Sequence, residues 1–92
     1  MEVEYDPEKR LRTLELRGLD MDDAPVVFGG LKVTFEDDRI DYGEARWITV
    51  GFLNGRMVIV VWTLRGDRTR IISMRKANGK EQEIYLGRMA GS

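Results

Sequence analysis

The dipeptide Asn54-Gly55 constrains this chain more than any other feature. It separates two runs rich in β-branched and aromatic residues, Arg46–Leu53 and Arg56–Leu64. A two-residue hairpin loop of type I′ needs positive φ at both central positions, and Asn-Gly tolerates this well. The second run holds Val58, Ile59, Val60, Val61 and Trp62, too apolar for an exposed ribbon. A second turn falls around Arg65-Gly66-Asp67, and a third run, Arg68–Arg75, alternates cations with β-formers. The stretch 45–77 therefore reads as a three-stranded antiparallel meander.

The first turn sets a register. It places Leu53 opposite Arg56 and Trp47 opposite Trp62, a favourable cross-strand aromatic pair. One face then carries Ile48, Val50, Phe52, Met57, Ile59 and Val61. The other carries Trp47, Thr49, Gly51, Val58, Val60 and Trp62. A second two-residue loop would add Ile72 and Met74 to the first face, and Ser73 and Arg75 to the second. The first face is expected to be core, with the helices packed on that one face. The mixed second face is expected to meet a ligand or partner. A slip of one residue inverts the whole assignment.

Ninety-two residues make one domain with a modest core. Charged residues at 34% and hydrophobic ones at 42% fit a globular domain and not a disordered chain. No apolar run approaches the roughly 20 residues a bilayer demands, so no membrane association is expected. The N-terminal MEVEYDPEK is too polar and acidic for a signal peptide. Zero cysteines exclude disulfides and thiolate chemistry and fit a cytoplasmic setting. Zero histidines remove the commonest general base and the commonest metal ligand. The net charge of −1 supplies no global field toward nucleic acid. The charge is uneven, however. Arg65, Arg68, Arg70, Arg75 and Lys76 cluster against Asp67 alone, while Glu36, Asp37, Asp38, Asp41 and Glu44 cluster against Arg39. Each cluster taken alone suits a solvated loop or strand edge.

Around the meander, Met1–Tyr5 reads as a short strand. Asp6-Pro7 opens a helix, with Asp as N-cap and Pro in the first turn. That helix runs to about Arg17, with Leu11 and Leu14 one turn apart and Gly18 as its stop. Asp20 is a second N-cap, and Pro25 shortens or bends the helix that follows, which ends at Gly29-Gly30. Leu31–Phe35 is a brief strand. Asn78-Gly79-Lys80-Glu81 resembles a capping box opening a last helix to about Met89. Gly91-Ser92 reads as a cloning scar, leaving 1–90 as the domain. The fold class is α+β. No P-loop, dinucleotide fingerprint, metal cluster or Ser-His-Asp set is visible.

The ordered pattern of smaller motifs resembles the BrnT family, the toxin half of a bacterial type II toxin–antitoxin pair. The matching residues are Tyr5-Asp6, Lys9, Gly18, Val27-Phe28 and Tyr42-Gly43-Glu44-Ala45-Arg46. They continue through Thr63–Asp67, Arg70-Ile71-Ile72-Ser73-Met74-Arg75-Lys76-Ala77, Glu81 and Tyr85. The resemblance spans about Val3 to Leu86. It implies a RelE-like fold, a ribonuclease that uses no metal or other cofactor, and a ribbon-helix-helix antitoxin. Operator DNA would be reached only through that antitoxin. Arg17 stands where the family usually has His, and members are generally more basic than this chain.

RNA cleavage without a metal requires an aligned 2′-OH, a stabilised phosphorane and proton transfer. Arginine suits the second task through its planar fork and permanent charge. It is a poor base, which leaves proton transfer to Lys76, Glu81 or Tyr85. The expected catalytic set is Arg70, Arg75, Lys76, Glu81 and Tyr85. Arg65, Ser73 and Trp62 are expected to bind RNA, the tryptophan by stacking. Each has a plainer reading: a strand-end ion pair for Arg70 or Arg75, a helix cap for Glu81, packing for Tyr85, sheet cover for Trp47 and Trp62. Two other functions compete: a catalytically weakened homologue acting as a protein-binding or co-repressor module, and an unrelated nucleic-acid-binding domain.

Overall fold

A computed structural model describes residues 2–91. Met1 of the expected first strand and Ser92 of the expected scar lie outside the described residues. The elements are β1 (Val3–Glu4), α1 (Pro7–Arg17), a 3₁₀ turn (Met21–Asp23), α2 (Ala24–Gly29) and β2 (Val33–Glu36). Then come β3 (Trp47–Leu53), β4 (Arg56–Arg65), β5 (Arg68–Lys76) and α3 (Gly79–Gly91). The class is α+β.

The local signals explain most boundaries. Asp6 accepts a hydrogen bond from the Glu8 amide, and Gly18 ends α1 at φ 66°. Asp20 caps the 3₁₀ turn, and Pro25 falls in the first turn of α2, where its missing donor costs nothing. The chain thus restarts a helix at Ala24 and does not bend one through Pro25. Asn54 and Gly55 take φ 52° and 76°, as a type I′ turn demands.

The sheet has five strands in the order β1-β5-β4-β3-β2. β2, β3, β4 and β5 run antiparallel to their neighbours, and β1 lies parallel to β5. The sheet is therefore mixed, a correction to the purely antiparallel expectation. β1 joins that edge by pairing Val3 with Thr69 and Glu4 with Arg70. The register of β3 on β4 places Trp47 opposite Trp62, with the rings stacked at 5.1 Å.

β5 departs from simple counting. From Arg65↔Arg68 to Trp62↔Ile71 it follows a two-residue turn. A bulge then leaves Ile72 without a partner, so Ser73 faces Val61, Met74 faces Val60 and Arg75 faces Ile59. One extra residue inverts the parity of all that follows. Met74 therefore joins the Val58/Val60 face, and Ser73 and Arg75 join the Ile48/Ile59 face, the reverse of the expectation.

Both faces are apolar and both are covered. The first core gathers Val58, Val60, Ile71 and Met74 from the sheet with Leu19, Met21, Ala24, Val27 and Phe28. The second gathers Ile48, Val50, Met57 and Ile59 with Val33, Phe35, Tyr85 and Met89. The helices thus lie on both faces, which corrects their expected packing on one. The physical reason is β4, whose Met57–Val60 run is buried throughout and needs cover on each side. α1 lies against β5 and buries Thr13, while Leu11 and Leu14 remain exposed. α3 meets the sheet through a half-buried stripe at Glu81, Tyr85 and Met89.

Gly51 sets how closely α2 approaches β3. A Cβ there would stand 2.8 Å from Val27 Cγ1 and 3.2 Å from the Val27 carbonyl oxygen. Gly51→Ala should destabilise the fold by about 1–3 kcal/mol through overpacking. Gly87→Ala, inside α3 with nothing within 4 Å, should stabilise it by roughly 0.5–1 kcal/mol. Urea midpoints of the two variants check both signs.

Candidate functional site

β5 ends on two adjacent cations that the pleat sends to opposite faces. Arg75 lies opposite Ile59 and Lys76 opposite Val58. Arg75 emerges under the first turn of α3. That turn is a complete capping box: the Asn78 side chain accepts from the Glu81 amide at 2.8 Å, and the Glu81 carboxylate accepts from the Asn78 amide at 2.9 Å. The same carboxylate grips Arg75 through both terminal nitrogens, at 2.8 and 2.7 Å. This is the fork-to-fork geometry that makes arginine–carboxylate pairs strong and directional.

The pair shifts both partners. Hydrogen bonding from Arg75, then from the Asn78 amide, pulls the Glu81 carboxyl down to about 2 against burial. Glu81 is thus ionised at neutral pH and is not a proton donor there. The Arg75 guanidinium is pushed above its ordinary value by its hydrogen bonds to Glu81, with burial opposing; Tyr85 adds a smaller push and Arg39 a smaller opposition. Arg39 and Tyr85 therefore share the electrostatic neighbourhood of Arg75. The Tyr85 ring stacks on Phe35 at 6.0 Å, with the Arg88 guanidinium over both rings.

Lys76 is exposed on the other side, and its Nζ lies 3.9 Å from where a Cβ on Gly18 would stand. Arg17, the last residue of α1, donates to the Met74 carbonyl oxygen at 3.0 Å. A cleft opens here, lined by Leu16, Arg17, Arg75 and Lys76. A neighbouring cleft between α1 and β5 includes Lys9, Arg12, Arg17 and Ser73. The structure thus brings together Arg75, Lys76, Glu81, Tyr85 and Ser73 around the end of β5.

It holds the other expected residues apart. Arg70 lies five residues back along the strand, roughly 16 Å at about 3.3 Å per residue, and pairs with Glu4 at 3.5 Å. Arg65 pairs with Glu44 at 3.6 Å. Trp62 packs against the first core, edge-on to Phe28 at 5.7 Å, with its indole N–H donating to Thr49 Oγ1 at 2.9 Å. The acidic stretch is not simply solvated. Asp37 is buried and accepts from Arg39 Nε and a terminal nitrogen at 2.7 and 2.8 Å. These bonds hold its carboxyl below the usual range.

Arg17, Lys9 and Arg12 entered no expected site. Their spacing was the available signal, since positions 9, 12, 16 and 17 fall on one side of a helix. Among the described residues no group of three His, Cys, Asp or Glu is placed to hold a metal ion.

The family described as "Ribonuclease toxin, BrnT, of type II toxin-antitoxin system" matches residues 5–81. No curated protein matches the chain.

The Glu81 shift has a pH signature. Its folded value of about 2 lies below the ordinary 4.5, so its stabilisation is present above 4.5 and is lost as pH falls toward 2. Glu81→Gln should cost about 1–2 kcal/mol at neutral pH, the half-exposed guanidinium tempering the effect. The gap between wild type and variant should close across that acid window. Urea unfolding of both proteins at a series of pH values measures it.

Proposed function

The chain belongs to the BrnT family of ribonuclease toxins of type II toxin–antitoxin systems, and we propose that it cleaves RNA at the end of β5 without a metal ion. The observation behind this reading is the Arg75 guanidinium. It is held in plane by Glu81 and opens on a cleft shared with Arg17 and Lys76. A fixed cationic fork beside a cleft is what a phosphorane needs, because preorganised donors stabilise developing charge without reorganising.

In this mechanism a ribose 2′-OH attacks its own 3′-phosphate and the bond to the 5′-oxygen of the next nucleotide breaks, leaving a 2′,3′-cyclic phosphate. The 2′-OH loses a proton and the departing 5′-oxygen gains one. Arg75 stabilises the charge that gathers on the non-bridging oxygens. Glu81 acts as a positioning residue, since its carboxylate stays ionised. Proton movement falls to Lys76 and Tyr85, on either side of Arg75. Ser73 contacts the RNA from the cleft under α1. Arg65, Arg70 and Trp62 act at a distance, Arg70 by tying β1 to β5 through Glu4.

The family implies an antitoxin partner. A ribbon-helix-helix antitoxin, reaching operator DNA itself, is our specific reading on a RelE-like fold. Exposed apolar side chains support a protein partner: Leu11, Leu16, Val26, Ile84 and Leu86 are each about half or more exposed. They lie on the helices, because the mixed sheet face is itself covered.

One observation favours a second reading. Glu81 occupies both terminal nitrogens of Arg75. If the pair never opens to phosphate, it is a clamp for α3, and the chain is a catalytically weakened protein-binding or co-repressor module.

Arg75→Lys separates the readings, because it keeps the charge and loses the fork. Cleavage of RNA by the folded variant should fall on the order of 100-fold, the loss of a single oxyanion donor. RNA affinity should change far less, and wild-type cleavage should persist in excess EDTA. An unchanged rate in the variant, or no cleavage by wild type, supports the clamp.

A further inference from the structure

The chain carries almost equal numbers of cations and acids, yet its cations are not equally neutralised. Arg10, Arg39, Arg46, Arg65, Arg68, Arg70 and Arg75 each lie within ion-pair distance of a carboxylate. Among the described residues Lys9, Arg12, Arg17 and Lys76 have no such partner. These four line two clefts that share Leu16 and Arg17 and contain no carboxylate in their walls. A separate cleft over residues 36–45 gathers Glu36, Asp37, Asp38, Asp41 and Glu44. Charge is segregated on a chain whose net charge is −1.

We propose that the groove between α1 and β5 is a track for the sugar–phosphate backbone of single-stranded RNA, leading to Arg75. The proposal rests on the ribonuclease reading for what happens at Arg75, but not for the binding itself. Lys9, Arg12 and Arg17 span roughly 12 Å of helix at about 1.5 Å per residue. They form a row of cations that continues into Lys76 and Arg75 across the shared cleft. Arg17 is the junction. Its bond to the Met74 carbonyl oxygen fixes one nitrogen at the edge of β5 and leaves the rest of its fork free. Leu16, which is 74% exposed, and Ile72 supply apolar surface for ribose and base. The Ser73 hydroxyl adds a neutral donor. A groove in which Lys9, Arg12, Arg17 and Lys76 are unpaired and no carboxylate lines the wall is matched to a polyanion, and phosphate neutralisation dominates such binding.

The test uses the purified full chain and a short 2′-O-methyl RNA strand of mixed sequence, which lacks the attacking hydroxyl. Binding is followed by fluorescence anisotropy over a salt series. Each phosphate contact on a single strand contributes about 0.7 to the slope of log affinity against log salt. The double variant Lys9→Gln/Arg12→Gln should therefore reduce the slope by about 1.4 and weaken binding about 25-fold at roughly 0.1 M salt. Both side chains are exposed, so its melting temperature should match wild type. Lys32→Gln removes an exposed cation outside the groove and should leave the slope unchanged. Wild-type affinity in the double variant overturns the proposal, as does an equal loss in Lys32→Gln. Retained RNA binding with lost antitoxin binding also overturns it, and would assign the groove to an acidic segment of the antitoxin. A reduced slope together with an unchanged cleavage rate in Arg75→Lys upholds the track and refutes only the catalytic reading of Arg75.

Discussion

The unpartnered Ile72 in β5 decides which side of the sheet each later residue reaches. Without it, Arg75 would project onto the Val58/Val60 face, among Val27, Ile71 and other fully buried side chains. A guanidinium there would lose its hydration without a matching carboxylate, at a cost of several kcal/mol. With it, Met74 enters that core at 0% exposure and Arg75 emerges beneath α3. Apolar demand on one face and charge demand on the other are met by the same extra residue. The Glu81 clamp, the docking of the first turn of α3 and the cleft beside Arg17 all follow from that shift in parity.

The two faces are closed with different firmness. α2 and the 3₁₀ turn bring Met21, Ala24, Val27 and Phe28 deep against β3 and β4, and Gly51 permits the close approach. α3 has no buried residue and rests on one stripe. Its attachment therefore depends on directional contacts more than on area: the Arg75–Glu81 fork, the Phe35–Tyr85 stack and the Arg88 guanidinium above it. The candidate active site thus lies at the most lightly fastened helix of the molecule. In such a place, a phosphate that competes for Arg75 would also act on the docking of α3.

Arginine is asked to do different work at different sites. At Arg39 it neutralises a buried carboxylate and orders the loop between β2 and β3. At Arg10 it joins α1 to the Asp20 cap through two nitrogens. At Arg68 and Arg70 it draws Glu4, and so β1, onto the sheet edge. Exposed pairs of this kind contribute little stability one by one. Their effect is to tie particular acids to particular arginines, while Lys9, Arg12, Arg17 and Lys76 keep no ion-pair partner among the described residues. A chain without histidine can present a strong local positive potential in this way while its net charge remains near zero.

Short-range chemistry was legible in the residues themselves. Asn54-Gly55 set its hairpin and, through it, the Trp47–Trp62 pair. Asp6 and Gly18 bounded α1, and Asn78 with Glu81 marked the start of α3. Each of these rests on interactions between residues close in the chain or across one tight turn. The bulge at Ile72, the second covered face and the burial of Asp37 were not legible. Nor was the rotation of α1 that buries Thr13 and leaves Leu11 and Leu14 in solvent. Those depend on what lies across the sheet or above it, and several arrangements satisfy the local rules equally well. The sequence by itself determined that a cationic strand would end at Arg75-Lys76 and that a capped helix would follow. Only the tertiary structure decided that Arg75 would face Glu81 and that Lys76 would face Arg17, because one unpaired residue in a strand changes side-chain parity without changing any propensity.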